Sequence, residues 1–88
     1  MFNPTAYRIP EDTVESLILY AWQGAPPGGF LTAFLSNDLM DAGARADDRH
    51  QECFVRLVGF VYNEMPIGCH GSHETVAAWV EMGGLAGK

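Results

Sequence analysis

The chain of 88 residues offers nitrogen and sulfur donors that could bind a metal ion. They form two short clusters, His50 with Cys53 and then Cys69, His70 and His73. These are the donor types of tetrahedral zinc sites. If a helix ends near Met65, however, Cys53 lies about 18 Å from that end, whereas the next four residues span at most about 14 Å. We therefore expect no metal, no cofactor and no disulfide, and a free, buried Cys53.

Ser72 followed by His73 is the pair that most resembles a nucleophile beside a base. The G-x-S-x-G context of a hydrolase elbow is missing, and a serine directly before a predicted helix is typical of an N-cap. His50 and His73 are each expected to be partly buried and hydrogen-bonded. The sequence therefore predicts a protein without enzymatic activity.

Gly28 and Gly29 precede an apolar run and could leave backbone N–H groups open to a phosphate or carboxylate. The chain has no G-x-x-x-x-G-K-[ST] motif and no lysine before Lys88, which argues against nucleoside triphosphate chemistry. A tight turn stiffened by Pro26 and Pro27 explains the same residues. Binding of a small anionic ligand or nucleotide at Gly28 and Gly29 stays open as an alternative function.

Asp38 and Asp41 fall near the apolar sector of Phe30 and Phe34 on a continuous helical projection, with Arg45 between them. One interpretation is an internal network, in which Asp41 pairs with Arg45 and Asp38 accepts hydrogen bonds from backbone N–H groups. The other is an exposed surface that binds a partner or a second copy of the chain. The candidate partner-binding residues are Asp38, Asp41, Arg45, Pro26, Pro27 and Phe30.

Four helices are expected to position these residues. The first covers about residues 11–23, has apolar residues at i, i+3, i+4 and i+7, and ends at Gly24. The second is predicted over about residues 28–44. The third begins after the cap residue Asp47 and ends at Pro66.

The last predicted helix begins at the N-cap Ser72 and ends at the Gly83-Gly84 pair. Its inward side chains are expected to be Val76, Ala77, Trp79 and Val80. The third helix is apolar over more than half of its circumference, which predicts a central position. The fold class is therefore all-α: one domain over residues 1–88, a compact bundle of about four helices with short connections, with residues 1–9 as an N-terminal arm.

Composition limits the partners and the compartment. Eleven acidic and five basic side chains give a formal net charge of −6, which argues against binding nucleic acid or an anionic membrane. A hydrophobic fraction of 48% excludes disorder. No apolar run reaches the roughly 18 residues of a bilayer span, and the N-terminus lacks the pattern of a signal peptide. These features predict a cytoplasmic protein whose two thiols stay reduced.

The chain carries a series of short motifs: PPGGFL at 26–31, NDL at 37–39, RAD at 45–47, YNE-x-P at 62–66, C-x-GS at 69–72, and Trp79. In these motifs, residues 9–84 resemble a group of short proteins encoded by tailed phages and prophages. The resemblance implies a phage origin. Small phage accessory proteins often inhibit host systems, including CRISPR and other defences, so the expected function is inhibition of a host protein by surface occlusion in the host cytoplasm. A structural role in the virion or its assembly is a further alternative.

Overall fold

The computed structural model describes residues 8–87, and within them all regular structure is helical. Six α-helices follow one another in the chain: α1 Glu11–Gln23, α2 Gly29–Leu35, α3 Leu39–Arg45, α4 Asp48–Glu52, α5 Phe54–Glu64 and α6 His73–Met82. Two 3₁₀ turns cover Ile67–Cys69 and Leu85–Gly87. The all-α class is confirmed. None of the helices in this range is long and apolar enough to cross a membrane.

The first and last helices agree with the expectation. Helix α1 covers residues 11–23 and ends where Gly24 takes a φ of 71°. Helix α6 begins after Ser72, whose hydroxyl accepts a hydrogen bond from the backbone N–H of Thr75 at 3.1 Å. The predicted N-terminal arm lies outside the described residues, except for Arg8 and Ile9, and Ile9 is buried in the core.

The continuous helix predicted over residues 28–44 is wrong, because the chain breaks into α2 and α3 at residues 36–38. Asn37 takes a φ of 61°, a left-handed conformation that asparagine tolerates better than most residues. The next residue, Asp38, then starts α3 as its N-cap and accepts a hydrogen bond from the N–H of Asp41. An Asn-Asp pair within an otherwise helical apolar pattern was the signal for this break.

The third predicted helix is divided as well, at Cys53, between α4 and α5. Its start is confirmed, since Asp47 caps α4 by accepting a hydrogen bond from the N–H of His50 at 2.9 Å. The central position is wrong. Leu57, Phe60 and Val61 of α5 are buried, whereas the opposite side of the same helix is exposed and apolar. The bundle therefore has six helices where about four were expected.

The hydrophobic core lies between α1, α2, α5 and α6. Its largest fully buried side chains are Tyr20, Phe60, Leu17, Leu35 and Leu57, together with Cys53 and Cys69. The side chains of Tyr20 and Trp79 pack with ring centroids 6.4 Å apart, which joins α1 to α6. This core fixes α2 and α6 side by side, and the candidate site lies along their outer surface.

Candidate functional site

An open groove of about 530 Å³ runs between the Pro26-Pro27 turn and helix α6, and we call it the α2–α6 groove. Its lining consists of Pro26, Pro27, Thr32, Ser36, His73, Val76, Ala77, Val80 and Glu81. The hydroxyl of Ser36, the C-cap of α2, donates a 2.6 Å hydrogen bond to the carbonyl oxygen of Thr32, so this polar group already has a partner. The groove therefore offers mainly apolar surface for a partner.

On the α6 side of the α2–α6 groove, Ala77 lies where the sequence did not predict it. Ala77 was expected to face the core with Val76 and Trp79. The structure buries Val76 and Trp79, leaves Val80 half-buried, and exposes Ala77 in the groove. Because the side chain of alanine is a single methyl group, a partner side chain can approach the α6 backbone closely at this position.

His73 lines the α2–α6 groove and is paired with a carboxylate. The Nε2 atom of His73 lies 3.1 Å from Oδ2 of Asp38, and Oδ1 of the same carboxylate accepts the N–H of Asp41 at 3.4 Å. These bonds hold the pKa of the Asp38 carboxyl below its ordinary value, and the bond with His73 is the larger cause. His73 is hydrogen-bonded as expected, but its side chain is 63% exposed rather than partly buried. Asp38 is therefore an ionised group beside the groove.

Asp41 and Arg45 form the expected i,i+4 ion pair on α3, with Nε of Arg45 3.0 Å from Oδ2 of Asp41. The Arg45 side chain also crosses the start of α2. A Cβ atom added to Gly29 would lie only 3.0 Å from Nη1 of Arg45. Gly29 thus makes room for a guanidinium that already has a carboxylate partner, whereas Gly28, with a φ of 93°, faces open space.

Phe30 differs from the other candidate residues because it takes part in core packing. Its ring is half-buried and stacks on His50 with centroids 4.3 Å apart. It also packs against Phe34, at 5.8 Å, and meets Phe54 edge-on at 6.3 Å. The structure therefore brings Pro26 and Pro27 to the groove, Asp38 to the His73 side chain that lines it, and Arg45 to the start of α2. It places Phe30 in an aromatic cluster on another side of that helix.

A chain of side-chain hydrogen bonds links Asp47, His50 and Thr13. His50 Nδ1 lies 3.0 Å from Oδ1 of Asp47, and its Nε2 lies 2.8 Å from Oγ1 of Thr13. The connectivity is that of a catalytic triad. Thr13 is only 4% exposed, however, and the ring of Phe30 covers one face of the imidazole. These bonds tie α1 to α4, and the sequence offered only the Asp47-x-x-His50 spacing as a signal.

The two cysteines are free and buried. Burial of Cys53 is confirmed. Burial raises the pKa of the Cys69 thiol to about 12, so this sulfur is neutral and unreactive at neutral pH. In the part of the chain that the structure describes, no three histidine, cysteine, aspartate or glutamate side chains come together as metal ligands.

The chain was compared with models of protein families, with curated proteins and with solved structures, and none of them matches it.

Proposed function

We propose that this protein acts without catalysis, by binding a protein of a bacterial host and covering a functional surface of that protein. The observation that carries the proposal is the α2–α6 groove, an open apolar cleft with carboxylates beside it. An exposed apolar surface rimmed by polar residues is typical of a site of protein–protein interaction. The resemblance to short phage proteins supports a host protein as the target.

The lining of the groove specifies the chemistry of the partner. Pro26, Pro27, Val76 and Val80 offer apolar contacts to aliphatic or aromatic side chains. Glu81 lines the groove itself, and Asp38 adds a second carboxylate next to His73. With a formal net charge of −6 on the whole chain, the complementary partner surface carries apolar anchors flanked by lysine or arginine.

The two proline residues favour binding at low entropic cost. Pro26 is exposed and Pro27 half-exposed, and both have a fixed backbone φ. A partner that docks against them orders little additional chain on this side of the interface. The turn thus acts as a rigid edge, while Asp38 and the Asp41–Arg45 pair supply charge for specificity.

The test is capture of partners from a bacterial lysate with the tagged protein, before and after nuclease treatment, followed by mass spectrometry. Two neighbouring substitutions on α6 form a matched pair. Ala77→Arg places a bulky cation in the groove, whereas Ala78→Arg makes the same change at an exposed position outside it. Both keep good helix propensity.

The proposal predicts a stoichiometric, nuclease-resistant protein partner that is lost at least tenfold with Ala77→Arg and retained with Ala78→Arg. Charge reversal of Glu81, the carboxylate that lines the groove at the end of α6, should also weaken capture as Glu81→Lys, with helicity unchanged by circular dichroism. A partner retained by Ala77→Arg, or lost equally with both alanine variants, would show that the α2–α6 groove is not the binding surface. Recovery of nucleic acid or of no partner would contradict the proposed function itself.

A further inference from the structure

The outer side of α5 is apolar although it faces solvent. Val55 is 82% exposed, Tyr62 is 78% exposed and Val58 is 42% exposed. At about 100° per residue these three side chains fall within about 60° of one another on the helix, with Gly59 beside them. We call Val55, Val58, Gly59 and Tyr62 the α5 stripe. Its members carry no charge.

Helix α3 extends this apolar surface. Leu39 lines a shallow cleft together with Val58 and Tyr62, so the start of α3 lies against the stripe. The next residue, Met40, is 89% exposed. From these fractions, Leu39 and the three large side chains of the stripe expose on the order of 500 Å² as one apolar patch, within the range of the largest patch on a monomeric soluble protein, which is often a functional surface.

We propose that the α5 stripe is the interface of a homodimer in which α5 packs antiparallel against α5 of a second copy. The spacing of the stripe is self-complementary. A two-fold axis that passes midway between Val58 and Gly59 places Val55 of each copy opposite Tyr62 of the other, and sets each Val58 against the small Gly59. Every large side chain of the stripe then has an apolar partner, as an isologous interface requires.

The area agrees with this assignment. Two copies that each cover about 500 Å² bury about 1,000 Å² in total, which is the least that a biological interface should bury and predicts a weak dimer with a dissociation constant in the micromolar range or above. The distribution of charge is also compatible with a homodimer. Each copy carries a formal net charge of −6, but the uncharged stripe keeps carboxylates out of the contact.

The dimer leaves the α2–α6 groove open. Thr32 of α2 and Ser36, which follows the helix, line that groove, whereas Phe34 lies about half a turn away and lines the cleft beside Val58. The two surfaces are therefore on different sides of α2. A dimer presents two α2–α6 grooves, and the inference about the stripe does not depend on the proposed function.

Sedimentation equilibrium over a concentration series up to about 200 µM tests the proposal, since the chain has a mass of 9.6 kDa and a dimer twice that. Val55→Lys and Tyr62→Glu each place a charge in the stripe at a position that is largely exposed in the monomer, so helicity should persist. Each variant alone should weaken the dimer at least tenfold. The matched control, Asn63→Lys, lies on an exposed part of α5 outside the stripe and should retain it.

Mixing the two variants tests the antiparallel arrangement. In an equimolar mixture, the new lysine of one chain faces the new glutamate of the other, and the remaining native Tyr62 and Val55 face each other. Native mass spectrometry should therefore detect a heterodimer, which the mass difference identifies, at a concentration where each variant alone is monomeric. A wild-type chain that stays monomeric, a dimer that survives both substitutions, or a mixture that stays monomeric would overturn the proposal.

Discussion

The phenol of Tyr20 donates a hydrogen bond to the carbonyl oxygen of Cys69 over a distance of 2.6 Å, across 49 residues of sequence. The bond joins α1 to the 3₁₀ turn that precedes α6. In return, the Nε1–H of Trp79 donates to the carbonyl oxygen of Tyr20 at 2.9 Å. Both bonds are buried, so one residue of α1 holds the segment from Cys69 to Trp79 through its side chain and its backbone.

Tyr20→Phe is expected to destabilise the protein by about 1–3 kcal/mol, because the buried carbonyl of Cys69 loses its phenol donor. Urea unfolding followed by circular dichroism measures the change. The matched control is Tyr62→Phe, measured at a protein concentration low enough to keep the chain monomeric. It removes a hydroxyl from an exposed ring and should change the free energy of unfolding by less than about 0.5 kcal/mol. Equal effects of the two substitutions would show that the Tyr20 bond adds nothing to stability.

The ends of α1 and α6 meet at two glycines. A Cβ atom on Gly84 would lie 2.6 Å from the backbone nitrogen of Gly24, and one on Gly24 would lie 2.8 Å from the nitrogen of Gly84. Both glycines also have a positive φ. The backbones of the two helix ends are therefore in direct contact, and neither position has room for a side chain.

Gly84→Ala is expected to lower the free energy of unfolding by more than about 2 kcal/mol, because the methyl group meets backbone atoms that cannot turn away. Gly43→Ala is the control. Gly43 is an exposed glycine inside α3 with open space around its Cα, so alanine there should stabilise the protein by about 0.5–1 kcal/mol. Thermal melts of both variants should shift in opposite directions, and a neutral Gly84→Ala would contradict the close approach.

Local signals predicted the parts of the fold that depend on local chemistry. The cap residues Asp47 and Ser72 and the stop at Gly24 lie where the sequence placed them, because capping depends on a few neighbouring backbone groups. The breaks at Asn37 and Cys53 were missed. At each break the chain changes direction within a run of apolar residues. The spacing of those residues does not show where one helix ends and the next begins.

The candidate site depends on contacts between distant residues, so less of it was predictable. The i,i+4 pair of Asp41 with Arg45 follows from helical spacing and is present. The bond between Asp38 and His73 and the position of Arg45 over Gly29 join separate helices, and no local pattern indicates them. The exposed α5 stripe was missed because a helix that is apolar on most sides was expected to be buried.

Thr13→Val tests whether the Asp47–His50–Thr13 bonds are structural. The substitution keeps the shape of the side chain but removes the hydroxyl 2.8 Å from Nε2 of His50, a side chain that is only 12% exposed. The expected cost is about 1–2 kcal/mol in urea unfolding. Thr13→Ser keeps the hydroxyl and should therefore keep most of the wild-type stability. A neutral Thr13→Val would contradict a structural role for this bond.

His70 is expected to make the free energy of unfolding depend on pH, at pH values above those at which carboxylates titrate. Its Nε2 is buried without a hydrogen-bond partner among residues 8–87, and burial lowers the pKa of the imidazole below its ordinary value of 6.5. The unfolded chain therefore binds a proton more readily than the folded chain. The stability from this group is fully present above about pH 6.5 and is lost as the pH falls toward the depressed pKa of the folded state.

The measurement for His70 is the free energy of unfolding between about pH 7.5 and pH 5, in the wild type and in His70→Leu. Stability of the wild type should decrease as the pH falls through this range. The variant should show a smaller decrease, since it lacks the group that protonates on unfolding. Parallel pH profiles would show that His70 is equally easy to protonate in both states.

Salt should strengthen the homodimer. Two chains with a formal net charge of −6 repel each other, and the α5 stripe contains no ion pair that salt could weaken. Raising the salt concentration from about 20 mM to about 500 mM shortens the Debye length from about 20 Å to about 4 Å, which screens the repulsion. The dimer dissociation constant measured by sedimentation should therefore fall several-fold.

The dimer of the Tyr62→Glu variant should stay weaker than that of the wild type at each salt concentration, because the charge opposes burial of the stripe itself. A dissociation constant that rises with salt would indicate an interface built on ion pairs, and would place the contact elsewhere on the molecule.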